Sequence, residues 1–362
     1  MDLQSHSDIT YLLQKELYIP ANSVKLQMIS DPGSSQSRVY LYCNNNQLIA
    51  IKQSTISHGY RPDLLLEATK RDVIIPYLKT NVAHIFWRGC HNNKQYMIYE
   101  CIGQNSLHQQ ILLRNMSSQD IFSVWNDMLN KILNMWDKSR QPVDLNTTYA
   151  RDYTLRFERI EEYLHKFFDK LSLNLSYVLS APVRVNGKLY PPLSTLLSEL
   201  KEYDEPKFTV TCHGDPQPSN IIVNQDTLHW QLIDWEWSAT NHDWRMMSAH
   251  LVGWWLTRTV KFSSRPTLKY VNSEIIINYE LAADEENKLI ALSTIGEIDK
   301  RFNLLSDGLS CKQFKKFLAL LIIGETRFLS IWHRENHLPY HIAKALEVYY
   351  NQDECLLECN HE

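Results

Sequence analysis

The sequence lacks the features that would place the protein in a membrane or outside the cell. Its longest apolar run, residues 317–323, is far shorter than the ~20 residues that a membrane-spanning helix needs. The first residues contain neither the basic stretch nor the apolar stretch of a secretory signal peptide. We therefore expect a soluble, cytoplasmic protein with no membrane partner.

An excess of positive charge is also missing. The 37 lysines and arginines are outnumbered by 41 aspartates and glutamates, which gives a formal net charge of -4. A nucleic-acid-binding protein needs a basic surface to neutralise phosphates. We therefore expect no nucleic-acid partner.

The cysteines do not form a disulfide framework. There are seven of them, an odd number, and they are scattered along the chain, which is typical of reduced thiols in the cytoplasm. Cys355 and Cys359 lie one helical turn apart near His361. A structural zinc site needs four ligands, so two free thiols on a terminal helix are the favoured interpretation.

The most informative residues that are present form two short motifs, HGDPQPSN at 213–220 and IDWE at 233–236. β-prone residues flank both, so we expect turns that present Asp215, Asn220 and Asp234 at one end of a small sheet. Phosphoryl transfer needs such a set, because one carboxylate accepts the proton of the attacking hydroxyl while an amide and a second carboxylate hold magnesium. The spacing D-x-x-x-x-N is that of kinase catalytic loops.

Hydrophobic periodicity predicts an α+β protein. Strands are expected at 24–29, 39–43, 48–52, 83–87 and 96–99, with one helix, 63–78, inserted after the third strand. Further helices are expected at 8–17, 120–137, 154–171, 243–260 and 311–334. Hairpin turns are predicted at Asn186-Gly187 and at Asn272-Ser273.

Two charged residues precede the motifs in the order that a nucleotide site would need. Lys52 ends an alternating strand, like the V-A-I-K strand whose lysine contacts nucleotide phosphates. Glu67 lies in the following predicted helix, where its carboxylate would pair with that lysine and hold it in place.

With these residues in this order, the chain resembles the aminoglycoside phosphotransferase and choline kinase superfamily over residues 8–260. The resemblance implies a protein-kinase-like two-lobed fold. A small N-terminal antiparallel-sheet lobe, residues 1–103 with a hinge near 100–103, would bind the nucleotide. A larger, mainly helical C-terminal lobe, residues 104–362, would carry the catalytic loop, the metal-binding loop and the acceptor site.

The resemblance also implies roles for particular residues. Asp215 would be the catalytic base, Asn220 and Asp234 would bind magnesium, and Lys52 would contact the α- and β-phosphates of ATP, with GTP left open. Backbone groups from Glu100 to Ile102 would bind the adenine edge. The phosphate-covering turn would include Ser34 and Ser35, although Gly33 is its only glycine and a plain β-turn is the alternative.

The chain departs from the superfamily pattern after Glu236, where the usual glycine-aspartate-proline turn is replaced by WSATNHD. We expect Asp243 to cap the next helix. Glu236, Trp237 and Asp243 are candidate acceptor contacts. Glu325 is another, although pairing with Arg327 or another neighbour is the alternative.

Six of the ten tryptophans lie between residues 230 and 255. An aromatic wall for a cationic ligand is one interpretation. Core packing is favoured, with Trp237 as the exception. His213 is expected to support the metal-binding loop instead of acting as the base.

These observations together predict an ATP- and magnesium-dependent phosphotransferase that acts on a hydroxyl of a small molecule. One alternative is an antibiotic-inactivating, aminoglycoside-type phosphotransferase. A second is a nucleotide-binding pseudokinase, which is disfavoured because the lysine, the base and the metal ligands are all present. The acceptor and the oligomeric state leave no signal in the sequence.

Overall fold

A computed structural model of the chain describes residues 3–30, 37–44, 47–55, 63–143, 160, 162, 164–165, 167–169, 174–282, 285–329 and 334–351. The helices are α1 (Leu3–Leu17), α2 (Leu64–Arg71), α3 (Ile75–Leu78), α4 (Leu107–Leu113), α5 (Ser118–Lys138), α6 (Leu175–Ser180), α7 (Leu193–Leu200), α8 (Trp244–Thr257), α9 (Glu285–Phe302), α10 (Gly308–Gly324) and α11 (Leu338–Tyr350).

The strands are β1 (Leu26–Ser30), β2 (Arg38–Asn44), β3 (Gln47–Thr55), β4 (Ile85–His91), β5 (Lys94–Cys101), β6 (Val183–Val185), β7 (Lys188–Tyr190), β8 (Val210–Cys212), β9 (Ile221–Val223), β10 (Trp230–Leu232), β11 (Ala239–His242), β12 (Phe262–Val271) and β13 (Glu274–Leu281). An N-terminal antiparallel sheet followed by a mostly helical chain confirms the predicted α+β class.

The chain divides into two compact units. The first contains residues 1–139 and 211–240, and the second contains residues 140–210 and 241–362. The predicted boundary at residue 103 lies inside the first unit, because α4 and α5 and the two motif loops group with the N-terminal sheet. The division into lobes 1–103 and 104–362 stays a prediction.

The first unit is built on a five-stranded sheet in the order β1-β2-β3-β5-β4. Its strand pairs are antiparallel, and the β4–β5 turn at Asn92 and Asn93 has φ of 47° and 58°. Asparagine tolerates this left-handed conformation, which matches the twist of a hairpin. The predicted sheet, with a helix inserted after its third strand, is confirmed.

The two faces of this sheet carry different sets of residues. Alternate residues such as Tyr40, Ile51 and Ile98 form a buried core with Ile9 and Leu13 of α1, because side chains two apart on a strand share a face. The opposite face carries Lys52 and Ala50, paired in register with Val39 and Leu41 of β2. The sheet is thus anchored by α1 on one side and presents the lysine on the other.

The helix predicted at 63–78 is interrupted. It ends at Arg71, and a separate turn, α3, begins at Ile75. Pro76 lies in the first turn of α3, where its missing N–H costs no hydrogen bond, whereas inside one continuous helix it would remove one. The prediction of a single helix was therefore wrong in its length, although α2 still contains Glu67.

The second unit contains a four-stranded sheet in the order β12-β13-β6-β7. Both predicted hairpins are present, with positive φ at Asn186 and Gly187 and at Asn272 and Ser273. The sequence did not predict that β13 pairs in parallel with β6 and so merges the hairpins.

The helices of the second unit agree in part with the predictions. Asp243 caps α8 by accepting a hydrogen bond from the backbone N–H of Arg245, as expected. The helix predicted at 311–334 ends at Gly324, and a 3₁₀ turn, Glu325–Phe328, follows. Helices α9 and α11 were not predicted. Most of the predicted helix 154–171, together with Cys355, Cys359 and His361, lies outside the described residues.

The predicted packing of the tryptophan cluster is confirmed. Trp230, Trp235, Trp244, Trp254 and Trp255 are at most 3% exposed, whereas Trp237 is 37% exposed. Within the described part of the chain, no helix is both long and apolar enough to cross a membrane.

Candidate active site

Lys52 contacts two carboxylates at once. Its Nζ lies 3.0 Å and 2.8 Å from the two oxygens of Glu67 and 2.6 Å from Oδ1 of Asp234. Lys52 and Glu67 are only 6% and 1% exposed. The predicted ion pair between strand β3 and helix α2 is therefore present, and it also reaches the second motif.

The start of α2 is tied to the sheet by one side chain. Gln95 on β5 accepts a hydrogen bond from the Leu64 N–H at 2.9 Å and donates one to Asp63 at 3.0 Å. Asp63 caps the helix by accepting from the N–H groups of Leu65 and Leu66. Since these bonds set the axial position of α2, they also determine where Glu67 meets the lysine.

Lys52 is held in its charged form. Burial alone would lower the pKa of its ammonium group, but Asp234 and Glu67 outweigh burial and raise that pKa well above its ordinary value. The ammonium group of Lys52 therefore stays charged across the physiological pH range, as contact with a phosphate would require.

In the 213–220 loop, amide side chains converge on the carboxylate of Asp215. Gln217 Nε2 donates to Asp215 Oδ2 at 2.8 Å, and Asn220 Nδ2 donates to the same oxygen at 3.2 Å. Asn220 Nδ2 also lies 2.9 Å from the Asp215 backbone carbonyl. A short 3₁₀ turn, Pro218–Asn220, returns Asn220 toward the aspartate. The sequence analysis missed Gln217, although its place two residues after Asp215 offered a signal.

His213 connects the two motif loops. Its buried ring donates from Nε2 to the Ile233 carbonyl at 2.9 Å, and its Nδ1 accepts from the Asp215 N–H at 3.4 Å. These partners specify the neutral ring, and burial lowers the pKa of His213 in agreement with them. The Ile233 N–H in turn donates to the Asn220 carbonyl at 3.0 Å. The histidine therefore supports the loop of Asp234, as expected.

Two backbone positions in this region have left-handed φ values. Asp234 has φ of 67° and Gly214 has φ of 85°. A Cβ on Gly214 would lie 2.2 Å from the Trp237 carbonyl oxygen, far inside van der Waals contact. Only glycine fits there, which explains the middle residue of His-Gly-Asp and the close approach of the two loops.

Glu236 is a half-buried carboxyl next to this group. Burial and then the neighbouring Asp234 carboxylate raise the pKa of Glu236 to about 7. The carboxyl is therefore shared between its acidic and ionised forms near neutral pH. Its backbone carbonyl accepts a hydrogen bond from Lys70 of α2, a partner that the sequence analysis did not identify.

The predicted adenine edge is partly occupied by contacts within the protein. The Ile102 carbonyl accepts a hydrogen bond from Asn224 at 3.1 Å, and the Glu100 N–H donates to the His84 carbonyl at 2.8 Å. A cavity of about 240 Å³ lies beside this segment, between Leu41, Leu48 and Gln104. Leu41 and Leu48 belong to the sheet face that carries Lys52, so the cavity and the lysine lie on the same face.

The residues present suit magnesium with a nucleotide better than a metal site made by protein alone. Among the described residues, no group of three or more His, Cys, Asp or Glu side chains could hold a metal ion. Magnesium usually takes one or two carboxylates and completes its shell with waters and substrate phosphates. Asp234 supplies one carboxylate. Asn220 donates to Asp215 through its side-chain Nδ2, which leaves the side-chain oxygen Oδ1 of Asn220 for a cation.

Two candidate acceptor contacts lie in the second unit and have protein partners. Asp243 is fully buried and accepts hydrogen bonds from Arg245 at 2.8 Å and Tyr203 at 3.0 Å. Glu325 lies 3.1 Å from Arg258 and 3.5 Å from His341. For Glu325 this is the pairing alternative, with Arg258 as the neighbour. The Arg327 side chain, and Ser34 and Ser35, lie outside the described residues.

Comparisons with known proteins find solved structures of similar fold. No protein-family model matches the sequence, and no curated protein matches it. The fold is similar to a crystal structure of an aminoglycoside-3'-phosphotransferase of type VIII. That likeness has a TM-score of 0.44 and 15% sequence identity, and it covers 87% of this chain and 98% of that one.

Proposed function

We propose that this protein transfers a phosphoryl group from a nucleoside triphosphate to a hydroxyl of a small molecule. The observation that carries the proposal is the connected set Lys52–Glu67–Asp234 and Asp215–Asn220 within one compact unit. A lysine fixed by a glutamate, a carboxylate base and two oxygen ligands are the parts that phosphoryl transfer needs.

Each residue has a physical task in this proposal. Asp215 accepts the proton of the acceptor hydroxyl, and the amides of Gln217 and Asn220 hold its carboxylate in one orientation. Lys52, kept charged by Glu67, binds phosphate oxygens. Asn220 and Asp234 are the ligands for magnesium, which when bound would neutralise the charge of the nucleotide phosphates.

The leading test follows ADP release over a panel of small alcohols, sugars, choline and aminoglycosides. Asp215→Ala should lower kcat by about 10²–10⁴-fold, the usual contribution of an acid–base group. The matched control is Asp226→Ala, an exposed carboxylate in the turn between β9 and β10. A wild-type rate in Asp215→Ala would contradict the assignment of the base.

Magnesium binding has a separate readout. Asp234→Asn should weaken magnesium-dependent ATP binding measured by calorimetry, because it removes the ionised ligand and one of the two carboxylates on Lys52. An affinity for magnesium and ATP equal to that of the wild type would exclude Asp234 as a ligand. Stabilisation by magnesium and ATP without turnover of any acceptor would instead indicate a pseudokinase.

A cationic acceptor such as an aminoglycoside is the second candidate, and it fits the charge of this region. Asp215, Asp234 and Glu236 bring three carboxyl groups to the two motif loops, with Lys52 as the neighbouring cation. Expression in a susceptible bacterial host should then raise aminoglycoside tolerance, and Asp215→Ala should abolish the effect. Unchanged tolerance with the wild-type chain would leave a metabolic hydroxyl as the acceptor.

A further inference from the structure

A second concave site lies in the second unit, beside the start of β12. The groove has a volume of about 610 Å³, within the range of small-molecule sites. Cationic and polar side chains line much of it, and among the described lining residues there is no carboxylate. In a chain whose net charge is -4, a groove lined by one sign of charge is an unusual concentration of positive potential.

Two of the three cations that line this groove have no described side-chain partner, and the third has one. Within the described part of the chain, the side chains of Lys261 and Arg265 make no hydrogen bond and no ion pair. Arg334 donates one bond, at 2.9 Å, to the backbone carbonyl of Arg258, and it forms no ion pair with a described carboxylate. By contrast, Arg245 and Arg258 each pair with a buried or half-buried carboxylate.

Two described glutamates that are close to the groove in sequence or in register do not line it. Glu335 precedes Asn336 in the chain, and Glu280 pairs with Ser264 across the sheet, but both are exposed. The charge of Glu325 acts on Arg334, yet its carboxylate is paired with Arg258. Among the described side chains, the charges that line the groove are therefore all positive.

An irregular strand shapes one wall of the groove. The pairing of β12 with β13 shifts register between Phe262 and Ser264 and again between Ser264 and Thr267. Such bulges re-aim side chains away from the regular alternation. Here the irregular segment places Ser263, Ser264 and Arg265 together along the groove, so hydroxyl groups and a guanidinium line the same wall.

The opposite wall supplies a neutral histidine and an amide. Burial, then the charge of Arg334, lowers the pKa of His337 to about 4, so its ring is uncharged at neutral pH. Its Nδ1 is buried and, among the described residues, has no hydrogen-bond partner. Asn336 adds an exposed amide beside it. This wall therefore offers polar groups next to the Arg334 cation.

We propose that this groove binds a small organic phosphate, whose phosphate group would lie between Arg265, Arg334 and Lys261. Guanidinium groups match the geometry of phosphate oxygens through paired N–H donors. The Ser264 hydroxyl is a further donor, whereas that of Ser263 already donates to the Glu280 carbonyl at 3.3 Å. The volume exceeds that of a bare phosphate and leaves room for an attached organic group. The site is independent of the proposed phosphoryl transfer.

The test is calorimetric titration of the full chain with inorganic pyrophosphate in a magnesium-free buffer at physiological ionic strength. Arg265→Ala and Lys261→Ala should each weaken binding about tenfold, the loss expected for one charge-assisted hydrogen bond. Lys269→Ala should bind as the wild type does, and Lys52→Ala should keep the binding that Arg265→Ala and Lys261→Ala weaken. Lys269→Ala removes a lysine of the same strand outside the groove, and Lys52→Ala removes the cation of the proposed active site.

Each other outcome counts against the groove. Absence of binding to the wild type, or an equal loss in Lys269→Ala, would overturn the site. Loss in Lys52→Ala alone would assign pyrophosphate to the active site and overturn the groove without affecting the proposed function. ADP release should be unchanged in Arg265→Ala, so failure of the groove and failure of the proposed function are distinguishable.

Two further binding experiments distinguish a free organic phosphate from a lipid headgroup. Ribose 5-phosphate represents a free organic phosphate, and vesicles of phosphatidylcholine with a phosphoinositide represent a lipid headgroup. Binding of ribose 5-phosphate that Arg265→Ala weakens would support the small-molecule site. Binding to the vesicles alone would overturn it in favour of a membrane-lipid site.

Discussion

At the scale of single residues, the 213–220 loop combines side-chain contacts with backbone positions that few residues can adopt. Gln217 and Asn220 both donate to one oxygen of Asp215, and Gly214 lies against the backbone of Trp237. The motif predicted that Asp215 and Asn220 would be presented together, and the two side chains are in contact. The second donor and the close approach depend on how the loop closes, which the spacing alone does not specify.

Gln217→Leu should lower kcat/KM by roughly ten- to a hundredfold, the effect of losing a hydrogen bond to a charged group. The ionised carboxylate of Asp215 loses a donor, so the acid limb of the kcat/KM profile should move to higher pH. Gln225→Leu, which changes an exposed glutamine in a nearby turn, is the control. An unshifted pH profile would show that Gln217 only supports the loop.

Gly214→Ala should destabilise the protein by more than the ~1–2 kcal/mol of a left-handed non-glycine residue, because its Cβ also meets the Trp237 carbonyl. Gly187→Ala is the matched control, since its φ is 89° but no atom lies within 4 Å of the added Cβ. Urea unfolding measures both. Equal losses of stability in the two variants would mean that the loop shifts and so relieves the contact between the added Cβ and the Trp237 carbonyl.

At the scale of elements, contacts at the first turn of helix α2 determine its position. The sequence indicated a helix containing Glu67, but it did not show that Gln95 would anchor the start of that helix to β5. The helix ends early because of Pro76. The periodic pattern of apolar residues continues past Arg71 and therefore predicted a longer helix. Contacts between distant segments, such as the parallel pairing of β13 with β6, have no local signal at all.

Asp63→Ala should cost about 1 kcal/mol of stability, the usual value of a helix cap, and should also raise the KM for ATP. The second effect is expected because Glu67 and Lys52 depend on the position of α2. Asn174→Ala removes the cap of α6 and should affect stability alone. Urea unfolding and initial-rate kinetics measure the two effects. An unchanged KM for ATP in Asp63→Ala would mean that the helix cap does not affect the proposed nucleotide site.

Glu325 joins the end of α8 to α11 through Arg258 and His341. Burial alone would raise the pKa of Glu325, but Arg258 and then His341 lower it to about 2. Since the folded pKa is below the ordinary value of 4.5, the stabilisation is complete above pH 4.5 and is lost as the pH falls through about 2.

Glu325→Gln should therefore lower the free energy of unfolding at pH 7 by about 3 kcal/mol, and the difference from the wild type should shrink below pH 4.5. Urea unfolding at pH 7, 5 and 3 measures the gap. Glu335→Gln, an exposed neighbour, is the control. A gap that is constant with pH would mean that the ion pair does not carry the effect.

At the scale of the whole molecule, the sequence predicted what local rules govern. Turn residues predicted the hairpins at Asn186-Gly187 and Asn272-Ser273, and the alternation around Lys52 predicted the sheet that carries it. The four-stranded sheet of the second unit, helices α9 and α11, and the division of the chain into two units depend on contacts between distant segments. Those contacts are invisible to periodicity and turn chemistry.

The accessibility of the thiols gives a prediction for the whole chain. Cys43 and Cys90 are exposed, whereas Cys101, Cys212 and Cys311 are buried, and all five are thiols outside any disulfide bond. In the native state a thiol reagent such as DTNB should react with Cys43 and Cys90 quickly and with the buried three slowly. Cys43→Ser and Cys90→Ser should each remove one fast equivalent, and fast reaction of all five described thiols would contradict the packing.

The contrast between Trp237 and its buried neighbours has a spectroscopic consequence. Iodide, an ionic quencher that does not enter protein cores, would reach Trp237 but not the five buried indoles between residues 230 and 255. Because Trp237 touches the loop at Gly214, its quenchable emission reports on the surroundings of Asp215, the proposed base. The native chain thus carries an intrinsic fluorescent probe at its proposed active site, and ligand binding can be followed without a label.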